Sequence, residues 1–257
     1  MAFKDRTPAS GMIAVVLLAV VGSLVARVVW AGGFDDYFVP GAAQENAMME
    51  RRAEYPGNAA FMEELEASFP REYDDFSEGI GQAVRGPGGD DRVVIAGNAW
   101  MNRFFATHAR DFAASPIERL DKVMELEQQF LGELQAHDEY ACEAYAKGYP
   151  FEEPLPERFD ELSGAISRAR IAAIRGGRSD QQLRLKLTPS HWEALEEALR
   201  ERGLNDAQIA VLFGEAEPGS IGAPLACEMA IELVSAIRAQ PETPRALLTS
   251  AYVSGVQ

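Results

Sequence analysis

Cysteine, histidine and the glycine signatures of nucleotide binding are scarce or missing here. The 257 residues hold two cysteines, Cys142 and Cys227, and three histidines, His108, His137 and His191. No C-x-x-C pair occurs, which excludes a zinc ribbon and a thioredoxin-type redox motif. There is no G-x-x-x-x-G-K-[ST] loop and no G-x-G-x-x-G turn after a strand, so the familiar phosphate cradles are absent. G-x-S-x-G and the cysteine-protease signatures are missing as well. The sequence therefore leans away from an enzyme and implies no cofactor, although carboxylates brought together only by folding leave no local trace.

Basic charge is also in short supply. The chain carries 24 Lys and Arg against 40 Asp and Glu, a net charge of −16. Residues 1–31 hold three of the basic and one of the acidic residues, so the remainder stands at −18. Such a body is repelled by nucleic acid and by anionic lipid surfaces.

One long apolar run stands out against this background. Met12 to Ala31 is 20 residues with a single charge, Arg27, enough for one helix across a hydrocarbon core of about 30 Å. Arg27 lies near its C-terminal end, where a long side chain snorkels, and Trp30 suits the same interfacial depth. A positive start (Lys4, Arg6), an apolar stretch to Ala26 and Val29-Trp30-Ala31 also fit a secretory signal cleaved before Gly32. The length of the run and Val at the −3 position favour an uncleaved anchor over cleavage; a buried core helix is the third reading. Lys4 and Arg6 precede the run and Asp35, Asp36, Glu45 and Glu50 follow it. The positive-inside rule then expects a cytoplasmic N-terminus and a body outside, which in a bacterium means an inner-membrane protein facing the periplasm.

The chain divides into five expected parts: residues 1–10 in the cytoplasm, 11–31 in the membrane, a stalk over 32–57, and helical subdomains over 58–148 and 149–257. Gly32-Gly33, Pro40-Gly41 and Pro56-Gly57 punctuate the stalk. Beyond it, Phe61, Leu65 and Phe69 recur at helical spacing, Pro70 starts a new turn, and Arg92 to Ala113 forms the most aromatic helix. Ser115-Pro116-x-Glu118 predicts a capped start for the next helix. Pro150, Pro154 and Pro156 make the connector between subdomains, and Gly176-Gly177 is expected to stop the helix that begins near Phe159. No period-2 run predicts a paired strand, so the body is expected to be all-α, an irregular bundle of about eight helices behind the transmembrane one.

Three constellations are candidates for function. Glu133 and His137 are four apart on one helix and His108 and Asp111 three apart on the preceding one; facing each other in an antiparallel pair, they would make a metal or hydrolytic site. The alternative places His108 among Phe104, Phe105 and Phe112 as a core histidine. The segment from Arg158 to Lys186, net +4, is the one basic stretch, and Arg168, Arg170, Arg175 and Arg178 are expected to dock an acidic partner or another part of this chain. Cys142 and Cys227 pair if the body lies outside the cytoplasm, and otherwise sit as small buried hydrophobes.

Leu187-Thr188-x-x-His191 and Leu204-Asn205-x-x-Gln208 resemble the LTxxQ motif of small periplasmic helical chaperones and metal-stress proteins. His191 stands in place of Gln in the first and Asn205 in place of Thr in the second, and both segments also fit helix N-caps. The family is not assigned on them; the resemblance implies a chaperone acting on unfolded clients. The main expectation is a single-pass, extracytoplasmic helical protein that acts through contacts with a membrane or periplasmic protein, as an accessory or scaffold subunit, with self-association open. The alternative is a cleaved, soluble periplasmic chaperone, metal-binding protein or hydrolase using His108, Asp111, Glu133 and His137.

Overall fold

The computed structural model describes residues 56–85, 89–147, 155–182, 186–216 and 225–254. The expected cytoplasmic segment, membrane helix and nearly all of the stalk lie outside them. Among the described residues no helix is long and apolar enough to cross a membrane. All the described elements are helices, ten rather than eight: α1 Pro56–Ser68, α2 Pro70–Arg85, α3 Gly89–Ala113, α4 Ile117–His137, α5 Glu139–Lys147, α6 Glu157–Ser179, α7 Pro189–Glu201, α8 Asp206–Leu212, α9 Leu225–Arg238 and α10 Glu242–Ser254.

Local chemistry sets most of these limits. Phe69 is the single residue between α1 and α2; its N–H donates to Leu65 O and its carbonyl accepts from Tyr73 N–H, while Pro70 opens the next helix without needing a donor. The two LTxxQ-like segments are both capping boxes. Asn205 N–H donates to Gln208 Oε1 at 2.8 Å and Gln208 N–H returns to Asn205 Oδ1 at 3.0 Å. At the other, Thr188 N–H donates to His191 Nδ1 at 3.0 Å, so the imidazole does the work of the amide oxygen. Gly203, at φ 96°, takes the left-handed position just past α7. The start of α4 differs from expectation: Pro116, not Ser115, takes the cap position, extended and with no side-chain cap bond, and helical geometry begins at Ile117, while Ser115 is buried.

The helix on which the others lean is α6, not the aromatic α3. It packs against α1, α3 and α4, and half of its buried residues are small: Ser163, Gly164, Ser167, Ala173, Gly176 and Gly177. Gly176-Gly177 does not stop the helix, which continues to Ser179. A Cβ on Gly177 would overlap the Asp111 carbonyl of α3, and one on Gly176 would meet the Arg119 side chain. These glycines mark close approach, and the helix tolerates their weak propensity because tertiary packing outweighs it. At the other end Gly164 touches the backbone of Gly57, whose N–H donates to the buried carboxylate Asp160 Oδ2 at 2.9 Å.

One apolar core runs from Phe61 to Val253 and is continuous across the boundary drawn at 148/149. In it α4 packs against α5, α6, α9 and α10, and α9 against α5 and α7. The disulfide Cys142–Cys227, with Cα atoms 5.5 Å apart, ties α5 to α9 across the same boundary. Both cysteines are fully buried.

Gly164→Ala should destabilise the protein by about 1–3 kcal/mol, because its methyl has only the Gly57 backbone to enter. Gly132→Ala on α4, where a Cβ meets nothing, should stabilise by about 0.4–1 kcal/mol. Urea unfolding of both variants measures this; equal shifts would mean that α1 and α6 do not cross at Gly57 and Gly164.

Candidate functional site

The four arginines expected to dock a partner meet different fates, and three of them are paired with acids of this chain. Arg170 is 1% exposed and pairs with the equally buried Glu127 of α4. The second oxygen of Glu127 accepts from the Tyr252 hydroxyl of α10 at 3.0 Å, and the guanidinium lies 5.5 Å from the centre of the Phe105 ring. Burial works against the Arg170 charge, but Glu127 and the neighbouring phenols outweigh it and its pKa is raised. Burial, reinforced by Glu127, pushes Tyr145 and Tyr252 well above the ordinary phenol range. Arg170 cannot be a docking residue, since no partner reaches it. Arg175 donates to Glu64 at 2.8 Å. Arg168 is half-buried and forms no ion pair with a described residue.

Arg178, in the last turn of α6, holds the best-defined polar site at the surface. Its Nε donates to Asp111 Oδ2 and its terminal nitrogen to His108 Nδ1, each at 2.8 Å. The guanidinium stands 4.7 Å over the Phe69 ring, so one side chain joins α6 to α3 and to the α1–α2 corner. Because arginine has only donors, His108 Nδ1 must accept, and Nε2 carries the ring proton. The imidazole is 3% exposed, packed on Phe69 and Phe104 at ring-centre distances of 5.0 and 4.6 Å. Burial, then the Arg178 charge, lowers its pKa below the ordinary 6.5 despite Glu72 and Asp111. His108 is accordingly neutral, and its Nε2, without a hydrogen-bond acceptor, faces Glu72 Oε1 at 3.6 Å.

This nitrogen lies at the floor of a groove of about 550 Å³ between α2 and α3. Glu72, Asp75 and Glu78 form one wall, Trp100 and Phe104 the other, with Arg103 and Thr107 at the rim. Trp100 and Phe104 are stacked 5.2 Å apart, and Phe76 meets Trp100 edge-on at 4.9 Å.

The proposed metal constellation is not assembled. His108 and Asp111 are neighbours through Arg178, whereas His137 packs on Phe159 and Glu133 accepts from Gln129. The reason is topological: α3 packs against α2, α6 and α10, and α4 meets α6 instead of facing α3 as a simple hairpin partner. Among the described residues no group of three or more His, Cys, Asp or Glu is placed to hold a metal ion. His108 also lacks the chemistry for that role, because its lone pair is taken by Arg178.

Glu72, Asp75 and Glu78 escaped the sequence reading. Their i, i+3, i+6 spacing on a helix was visible as one acidic stripe, but a solvated face explains such spacing equally well. Nothing local links them to His108. Glu127 and Tyr252 escaped for the same reason, standing 43 and 82 positions from Arg170. In comparisons with family models, curated proteins and solved structures, this chain matches none.

Removing one partner of a buried pair strands a charge. Arg170→Met should therefore cost about 3–5 kcal/mol in urea unfolding, while Arg170→Met with Glu127→Leu should regain most of it; a double variant no better than the single would contradict this account. His108 supplies a pH signature. The unfolded chain takes up a proton near pH 6.5 before the folded one does, so its contribution is complete above that pH and is lost as pH falls through the lowered folded value. His108→Gln, which can still accept from Arg178, should flatten the stability profile below pH 6.5 by up to about 1.4 kcal/mol per unit. An unchanged profile would remove His108 as its source.

Proposed function

We propose that this chain is a membrane-anchored, extracytoplasmic helical protein that acts by protein–protein contact, as an accessory or scaffold subunit. The Cys142–Cys227 disulfide carries the proposal. Two buried cysteines 85 positions apart, joined across the core, are stable as a bridge in an oxidising compartment and are kept as thiols in a reducing one. The apolar run from Met12 to Ala31 and the basic residues ahead of it agree with such a location. For a loop of this length, chain entropy makes the bridge worth about 4–5 kcal/mol, a stabilisation forgone if the body stays inside.

The interaction reading rests on what the described residues arrange. Among the described residues the Arg170–Glu127 pair is satisfied inside the fold, Arg175 and Arg178 pair with Glu64 and Asp111, and His108 Nε2, one of several buried polar atoms without a hydrogen-bond partner, borders an open groove. A membrane tether raises the effective concentration of such a body toward other membrane proteins without any new contact, which is a physical use for an anchor on a binding module.

Expressed in a bacterial host with its own N-terminus, the body should be digested by trypsin added to spheroplasts, while residues 1–10 remain protected. Cys142 and Cys227 should resist maleimide in denaturant until a reductant is added. A body protected from trypsin, with both thiols immediately reactive, would overturn the extracytoplasmic reading.

A further inference from the structure

We propose that the α2–α3 groove binds a basic peptide segment of a partner protein, with a Lys or Arg side chain along Glu72 and Asp75 and a backbone carbonyl accepting from His108 Nε2. The proposal names the partner chemistry of the interaction module above and rests on that reading. Two independent features of the groove lead to it. One wall carries the carboxylates of Glu72 and Asp75, and among the described lining residues Arg103 is the one cation. At the floor, the Nε2 proton of a 97% buried imidazole has no acceptor, a costly state for a buried donor.

These features select the occupant by elimination. An anion would satisfy the donor but is refused by the carboxylates. A metal ion would suit the carboxylates but offers nothing to an N–H, and a polyamine fails for the same reason. An anionic membrane surface is repelled by the wall and by the −18 of the body. A peptide with a basic side chain brings both a cation and a carbonyl, and an adjoining apolar side chain can lie on the Trp100 and Phe104 wall.

Arg178 is the positioning residue. Its bond to Nδ1 holds the imidazole in the tautomer that donates toward the groove. Glu72 covers that donor from 3.6 Å, longer than a normal hydrogen bond. A ligand cation drawing the Glu72 carboxylate outward uncovers Nε2 for the carbonyl, so the two contacts form together.

The test uses the full chain in mild detergent and a fluorescent peptide of alternating Lys and Leu about a dozen residues long, read by anisotropy. Saturable binding is expected, with no binding of the counterpart in which Glu replaces Lys. Glu72→Gln with Asp75→Asn should weaken it about tenfold or more. Glu193→Gln with Glu201→Gln, exposed acids on α7 far from the groove in sequence, should leave it unchanged. Spermine, which has the charge but no carbonyl, should compete poorly. No binding of the basic peptide, equal loss in both double variants, or full displacement by spermine would each overturn the proposal. Such a failure in a body still open to trypsin outside spheroplasts would leave the broader interaction reading standing.

Discussion

The buried pair of Arg170 and Glu127 is the constraint around which the described fold is arranged. Two charges at 1% exposure are costly to desolvate and are tolerated only with close partners. Glu127 has Arg170 on one oxygen and Tyr252 on the other, and Phe105 lies under the guanidinium. Those residues come from α4, α6, α10 and α3. Any packing that separates these helices leaves a charge stranded in an apolar core, so the pair penalises alternatives more than it stabilises the native state.

The small-residue face of α6 makes that arrangement possible. Ridge-into-groove packing normally holds helix axes 8–10 Å apart, and the bare backbone at Gly164 and Gly177 lets α1 and α3 come in against it. Ser167 is accommodated by bonding its hydroxyl to Ser163 O at 2.9 Å. Close approach then places Arg178 within reach of His108 and Asp111. The groove chemistry is thus a consequence of backbone packing one helix away.

On the opposite side, Glu143 couples the disulfide to helix geometry. Its Oε2 accepts from the N–H of Cys227 at 3.0 Å, near the start of α9, where a carboxylate complements the helix end. Cys142 precedes Glu143 on α5, so neighbouring residues supply both a covalent and an electrostatic link to the same turn of α9.

The sequence by itself determined the helices, because their signals are local. Apolar spacing in α1, proline at the starts of α2 and α7, capping residues before α7 and α8, and Gly203 after α7 act within one or two turns of the residues that show them. Only the tertiary structure decided which side chains meet. Gly176-Gly177 read as a stop because a glycine pair weakens an isolated helix; its real role depends on the carbonyl of Asp111, 66 positions away. Arg170 and Arg178 read as surface charge because arginine is seldom buried, and their acids lie on other helices. The pairing of His108 with Arg178 rather than His137 follows from α6 packing against α3, which no spacing along the chain encodes.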